Sequence, residues 1–135
     1  MNTIEGTGKL VPGPYRTIDD IRRANERAGE CWFAPGQGGR YARSHEIVFG
    51  GRYFITSGRV AHTRQETGPR RYTIRRANDD GTVENASEFQ ALSSAQQANA
   101  AARRLVKLIM DNGMSEKDAM ELIMERIEAQ EEEEW

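Results

Sequence analysis

A single cysteine, Cys31, excludes an intramolecular disulfide in this 135-residue chain, and a reducing compartment is then the default setting. Next to Trp32, it reads as a small buried residue rather than a nucleophile. Histidine is almost as scarce: His45 and His62 have no carboxylate or cysteine at ligand spacing, which argues against a zinc site. No run of about 18 apolar residues exists to cross a bilayer, and Met1–Gly6 carries neither a basic n-region nor an apolar h-region. Gly36-Gln37-Gly38-Gly39 lacks the Lys and Ser/Thr of a phosphate loop. These gaps leave no catalytic signature, so the expectation is a cytoplasmic, non-enzymatic protein with no cofactor and no bound metal.

What remains is one domain's worth of chain, with 37% hydrophobic and 30% charged residues, enough for a lean core. Its centre is Glu46-Ile47-Val48-Phe49, Gly50-Gly51, then Arg52-Tyr53-Phe54-Ile55-Thr56-Ser57. Two β-branched and aromatic runs around Gly-Gly predict a hairpin, because glycine enters the positive-φ turn positions without steric penalty. Arg71-Tyr72-Thr73-Ile74-Arg75 alternates apolar with polar side chains, the pattern of a half-buried strand. Asn78-Asp79-Asp80-Gly81 is turn chemistry, and a further strand is expected from Thr82-Val83-Glu84, continuing as far as Phe89. Residues 58–70 form a long polar connection, the kind that is usually functional.

Gly6, Gly8, Pro12, Gly13 and Pro14 make residues 1–16 a flexible leader. Thr17-Ile18-Asp19-Asp20 resembles a capping box, so a short helix is expected over about 18–28, stopped by Gly29. Cys31-Trp32-Phe33-Ala34-Pro35 is read as a strand or apolar plug. Ser94-Ala95-Gln96-Gln97 caps a helix with Ala98, Ala101, Ala102, Leu105, Leu108 and Ile109 on its apolar face. After Asn112-Gly113, Ser115 to Asp118 caps a last helix through Leu122, Ile123 and Ile127. The predicted architecture is α+β: about four antiparallel strands in a meander, a short N-terminal helix and a C-terminal helical hairpin. Residues 17–130 make a single domain, and 131–135 an acidic tail.

Net charge is only −2, but it is unevenly spread. Residues 36–76 hold nine arginines against Glu46 and Glu66, and residues 113–135 hold Lys117 and Arg126 against nine acids. Two surfaces follow. Arg71, Thr73 and Arg75 share one side of their strand, with Arg52 across the hairpin and Arg59, Arg64 and Arg70 from the connection. Such a basic face could grip nucleic acid or an acidic protein surface, or simply keep a sheet face soluble. The other surface is Asp118, Glu121, Glu125, Glu128 and Glu132, at spacings of 3, 4, 3 and 4. On a helix they form one stripe roughly 21 Å long, opposite Ala119, Ile123 and Ile127. A line of carboxylates that long could imitate a nucleic-acid backbone in a basic groove. The same pattern also fits the wet face of an amphipathic helix, or a surface resting against the arginines. Met110, Met114, Met120 and Met124 read as core filler, with Met120 and Met124 near the apolar margin.

Trp32-Phe33-Ala34-Pro35, Gly50 to Ser57, Arg70 to Arg75 and Glu88-Phe89-Gln90 resemble a family of small uncharacterised proteins carried by bacteriophages and other mobile elements. The likeness covers about residues 17–106 and transfers no activity or site residue. Small phage proteins of this kind include anti-CRISPR inhibitors, which act by binding an immune complex. The resemblance therefore implies a host bacterial cytoplasm and a host protein or ribonucleoprotein partner, a CRISPR effector foremost. The alternative is a nucleic-acid-binding accessory protein that uses the basic sheet.

Overall fold

The computed structural model describes residues 13–30, 42–59 and 68–133. The Trp32 plug, Gly36–Gly39, Cys31, His62, Arg64 and residues 1–12 lie outside them. Within them the class is α+β, with an antiparallel sheet and a C-terminal helical pair. The elements in chain order are α1 (Ile18–Arg27), β1 (Ala42–Ser44), β2 (Tyr53–Arg59), β3 (Arg70–Ala77), β4 (Val83–Asn85), α2 (Ala95–Asn112) and α3 (Glu116–Glu133).

The sheet is carried by the antiparallel pair β2–β3, in register from Tyr53 opposite Arg76 to Arg59 opposite Arg70. Three-residue strands β1 and β4 flank it, giving the order β1-β2-β3-β4. Gly50 and Gly51 both take positive φ, 60° and 70°, so the turn falls where the dipeptide predicts it. The run before that turn, however, is not a strand. Only Phe49 pairs across, with Tyr53, and pairing resumes at Ser44 opposite Thr56. Phe49 to Ser44 is five residues while Tyr53 to Thr56 is three, so residues 45–48 bulge from the ladder and leave Ile47 exposed. Likewise the chain after β4 does not continue to Phe89 but folds back, and Tyr72 bridges Leu92.

Both faces of β2 and β3 are covered. On one face, Tyr53, Ile55 and Ile74 pack with Leu92 and with Ala98, Ala102, Leu105 and Ile109 of α2. The alanines bring that helix close, and Ala119, Met120 and Ile123 of α3 complete the cluster. Full burial of Ile55, Ile74 and Leu105 stabilises by roughly 1.5–3 kcal/mol each. On the opposite face, Phe54 and Ala77 meet Tyr15, Ile21, Ala24 and Val83 in a second cluster.

Gly13–Arg16 is therefore not part of a loose leader. Gly13 N–H donates to Gly50 O and Tyr15 N–H to Gly51 O, both at 3.0 Å, while the Tyr15 hydroxyl donates to Asn78 O at 2.7 Å. Thr17 caps α1, accepting from Asp20 N–H, and the Asp20 carboxylate accepts from the Thr17 backbone in return. Asn25 of α1 donates to Gly81 O at 2.9 Å, holding the β3–β4 turn. Ser94 caps α2, and Gly113 ends it in the left-handed conformation, with φ 72°. Helix α3 runs on to Glu133, so Glu131 to Glu133 are helical rather than a separate tail.

Candidate partner-binding surface

Helix α3 starts at a Ser115 hydroxyl that accepts from Asp118 N–H at 3.1 Å. From there the helical period sets the display. Ala119, Met120 and Ile123 turn into the core, and Asp118, Glu121, Glu125, Glu128 and Glu132 are all exposed. Among the described residues none of these five carboxylates forms an ion pair, so the arginines of the sheet do not cancel the stripe. Asp118 complements the positive helix N-terminus, whereas Glu131 to Glu133 oppose the C-terminal dipole with no base in the last turn. The stripe is a line of unneutralised charge that the fold itself does not use.

Glu116 belongs to the same helix but turns inward. Its carboxylate accepts from the Tyr53 hydroxyl at 2.8 Å and pairs with Arg76 at 2.6 Å, and Arg76 also pairs with Glu84. Burial first, and then the Glu116 charge, push the Tyr53 hydroxyl far above its ordinary range. This cluster pins the N-terminus of α3 to the sheet and fixes the direction of the stripe. No sequence motif marks this cluster, although Arg76 shares the strand parity of Tyr72 and Ile74. An arginine in line with core residues needs an internal acceptor, which was the available signal.

The arginines behave differently from the expectation. Arg52, Arg71 and Arg75 do share one sheet face with Thr73, but that face is interior. Arg52 is 4% and Arg75 8% exposed. Arg75 donates to Thr56 Oγ1 at 2.8 Å and to Asn85 Oδ1, and lies 5.6 Å from the centre of the Phe89 ring. Desolvation there pulls its pKa down to about 10. Arg52 donates to Ala77 O and pairs with Asp79 at 2.9 Å. Arg71 binds Gln90 O and Ala91 O, and Arg70 the Ser57 hydroxyl at 3.0 Å. Arg52 and Arg75 are thus buried and hold the structure together, while Arg70 and Arg71 are half-buried and bonded internally. Arg59 is the exception in being exposed, with one bond to Gly68 O at 3.1 Å.

Enzyme-type groupings are thin. His45 Nε2 lies 3.2 Å from Ser57 Oγ and its ring 5.7 Å from that of Tyr72. Among the described residues no cluster of three His, Cys, Asp or Glu could hold a metal, and no helix is long and apolar enough to cross a membrane.

No curated protein and no solved structure matches this chain. A family profile matches residues 17–103, which takes in α1, the sheet and the first half of α2 and stops short of α3 and its stripe. That span is well over half of the sequence, and the chain belongs to the family of unknown function DUF7447.

Proposed function

We propose that this protein acts without catalysis, presenting the acidic face of α3 to a basic groove on a host nucleic-acid-handling complex. The observation that carries the reading is the five-carboxylate stripe, exposed and unpaired on a helix whose opposite face is fixed in the core. Carboxylates about 5 Å apart along the axis present negative charge at roughly two-thirds the linear density of one nucleic-acid strand. A groove built to hold phosphates would accept them. The resemblance to mobile-element proteins directs the choice of complex to a CRISPR effector in the bacterial cytoplasm, which makes the protein an anti-CRISPR-like inhibitor. Charge attraction of this kind speeds encounter and selects basic partners.

The test is expression of the chain in cells whose CRISPR immunity targets an infecting phage. The expected result is restored plaque formation, lost on alanine substitution of Asp118, Glu121, Glu125 and Glu128 in a protein of unchanged circular dichroism. Equal protection by the quadruple variant, or none by the wild type, would overturn the reading.

A further inference from the structure

The α2–α3 hairpin leaves a groove that the acidic stripe does not line, with a volume of about 500 Å³. Ala100 and Ala101 of α2 and Leu122 and Ile127 of α3 make its apolar lining, and Arg104 and Arg126 add positive charge to it. Leu122 is 41% exposed, so part of this lining is apolar surface in contact with water. Its apolar surface would gain from removal from water.

The shape suits a helix. The lining runs from Ser94 to Arg104 on one side and from Leu122 to Gln130 on the other, about 12–15 Å at 1.5 Å per residue, or two to three helical turns. The alanines let a third helix approach the α2 backbone closely, as in ridge-into-groove packing. The charge selects which helix. Among the described residues, neither the Arg104 nor the Arg126 guanidinium has an ion pair or hydrogen bond. One turn from Arg126 stand Leu122, Ile123, Ala129 and Gln130, and one turn from Arg104 stand Ala100, Ala101, Lys107 and Leu108. None is acidic, even though α3 is otherwise rich in carboxylates. The groove thus keeps two uncompensated positive charges beside an apolar floor.

We propose that this groove docks an amphipathic helix of a partner protein, apolar on the face that enters and acidic along its flanks. A basic helix would be repelled by Arg104 and Arg126. A second copy joined groove to groove would bring four arginines together across a two-fold axis, which disfavours self-association here. The groove and the stripe occupy different sides of α3, so this assignment stands or falls separately from the proposed function.

The experiment is an amide NMR titration of the full chain with a synthetic helical peptide carrying leucines on one face and glutamates beside them. The expected result is saturable shifts at Ala100, Ala101, Leu122 and Arg126, with affinity falling at least about tenfold in the Arg104→Glu, Arg126→Glu double variant. Both sites are exposed, so the variant should keep its fold, which its own spectrum reports. A lysine counterpart of the peptide should move stripe amides instead. No shifts in the groove, shifts unchanged in the double variant, or shifts of the groove amides on simple concentration of the chain, which would mean a second copy, would each overturn the proposal.

Discussion

The Tyr53 hydroxyl, on the first residue of β2, donates to the carboxylate of Glu116, the first residue of α3, across 2.8 Å. One contact thereby joins the sheet to the helix that carries the acidic stripe. Tyr53 is 3% exposed and Glu116 largely covered, so the contact is shielded from most of the solvent and counts for more than a surface bond.

Loss of this contact should show as a change in alkaline stability. Burial and Glu116 raise the folded pKa of Tyr53, while an unfolded tyrosine titrates near pH ~10. The folded state therefore favours the neutral hydroxyl. The stabilisation is fully present below about pH 10 and is lost as pH rises above it. Tyr53→Phe should cost about 1 kcal/mol at pH 7 and lessen the fall in stability from about pH 10 upward. Urea unfolding at pH 7 and at a series of pH values above about 10 checks it, and identical alkaline slopes for the two proteins would refute it.

Arginines of the predicted basic face should differ sharply in their structural weight. Arg75→Ala leaves the buried Thr56 hydroxyl, and the exposed Asn85 amide, without their donor and should cost about 2 kcal/mol. Arg59→Ala, at an exposed position, should stay within about 0.5 kcal/mol. Paired denaturant melts decide, and equal costs would mean that Arg75 is not an internal residue.

Much of the fold was legible because local chemistry and tertiary context agreed. The Ser94 cap, the left-handed Gly113 and all six apolar positions of α2 fall where periodicity puts them, since a helix stripe and its core face are the same residues. The turn at Gly50-Gly51 was legible for the same reason. What misled was alternation. A period-2 pattern tells which residues share a face, and it correctly grouped Arg52, Arg71, Thr73 and Arg75. It does not tell whether that face meets water. Tyr15, α1 and the turn around Phe89 come from distant parts of the sequence to cover it, and arginine's long stem and five donors let it line an interior. In the stripe, by contrast, exposure followed directly from the number of charges on one helix face.

The Gly50-Gly51 turn should be intolerant for a reason beyond its φ. A Cβ on Gly51 would lie 2.1 Å from Gly13 O, whereas one on Gly29, also at positive φ, meets nothing within 4 Å. Gly29→Ala should cost about 1–2 kcal/mol from conformation alone. Gly51→Ala adds a backbone clash that must push residues 13–15 off the turn, and should cost about 3 kcal/mol or more. Thermal melts of the two variants measure the difference, and similar losses would contradict the packing of Gly13 on Gly51.

With Arg52 and Arg75 committed internally, nucleic acid should find no strong basic face. Fluorescence titration against short DNA and RNA at about 50 and 200 mM salt should give weak or no binding. Micromolar affinity that collapses at the higher salt would instead indicate a surface making several phosphate contacts and favour the accessory-protein alternative.

The most direct test of the acidic stripe is competition in vitro. A purified CRISPR effector ribonucleoprotein loaded with labelled target DNA is titrated with the wild-type chain and with the variant carrying alanine at Asp118, Glu121, Glu125 and Glu128. Displacement of DNA by the wild type, weakened at least about tenfold in the variant at equal helix content, is the expected result. Displacement of equal strength by both proteins, or no displacement by the wild type, would contradict the assignment of α3 as the surface that occupies a nucleic-acid groove.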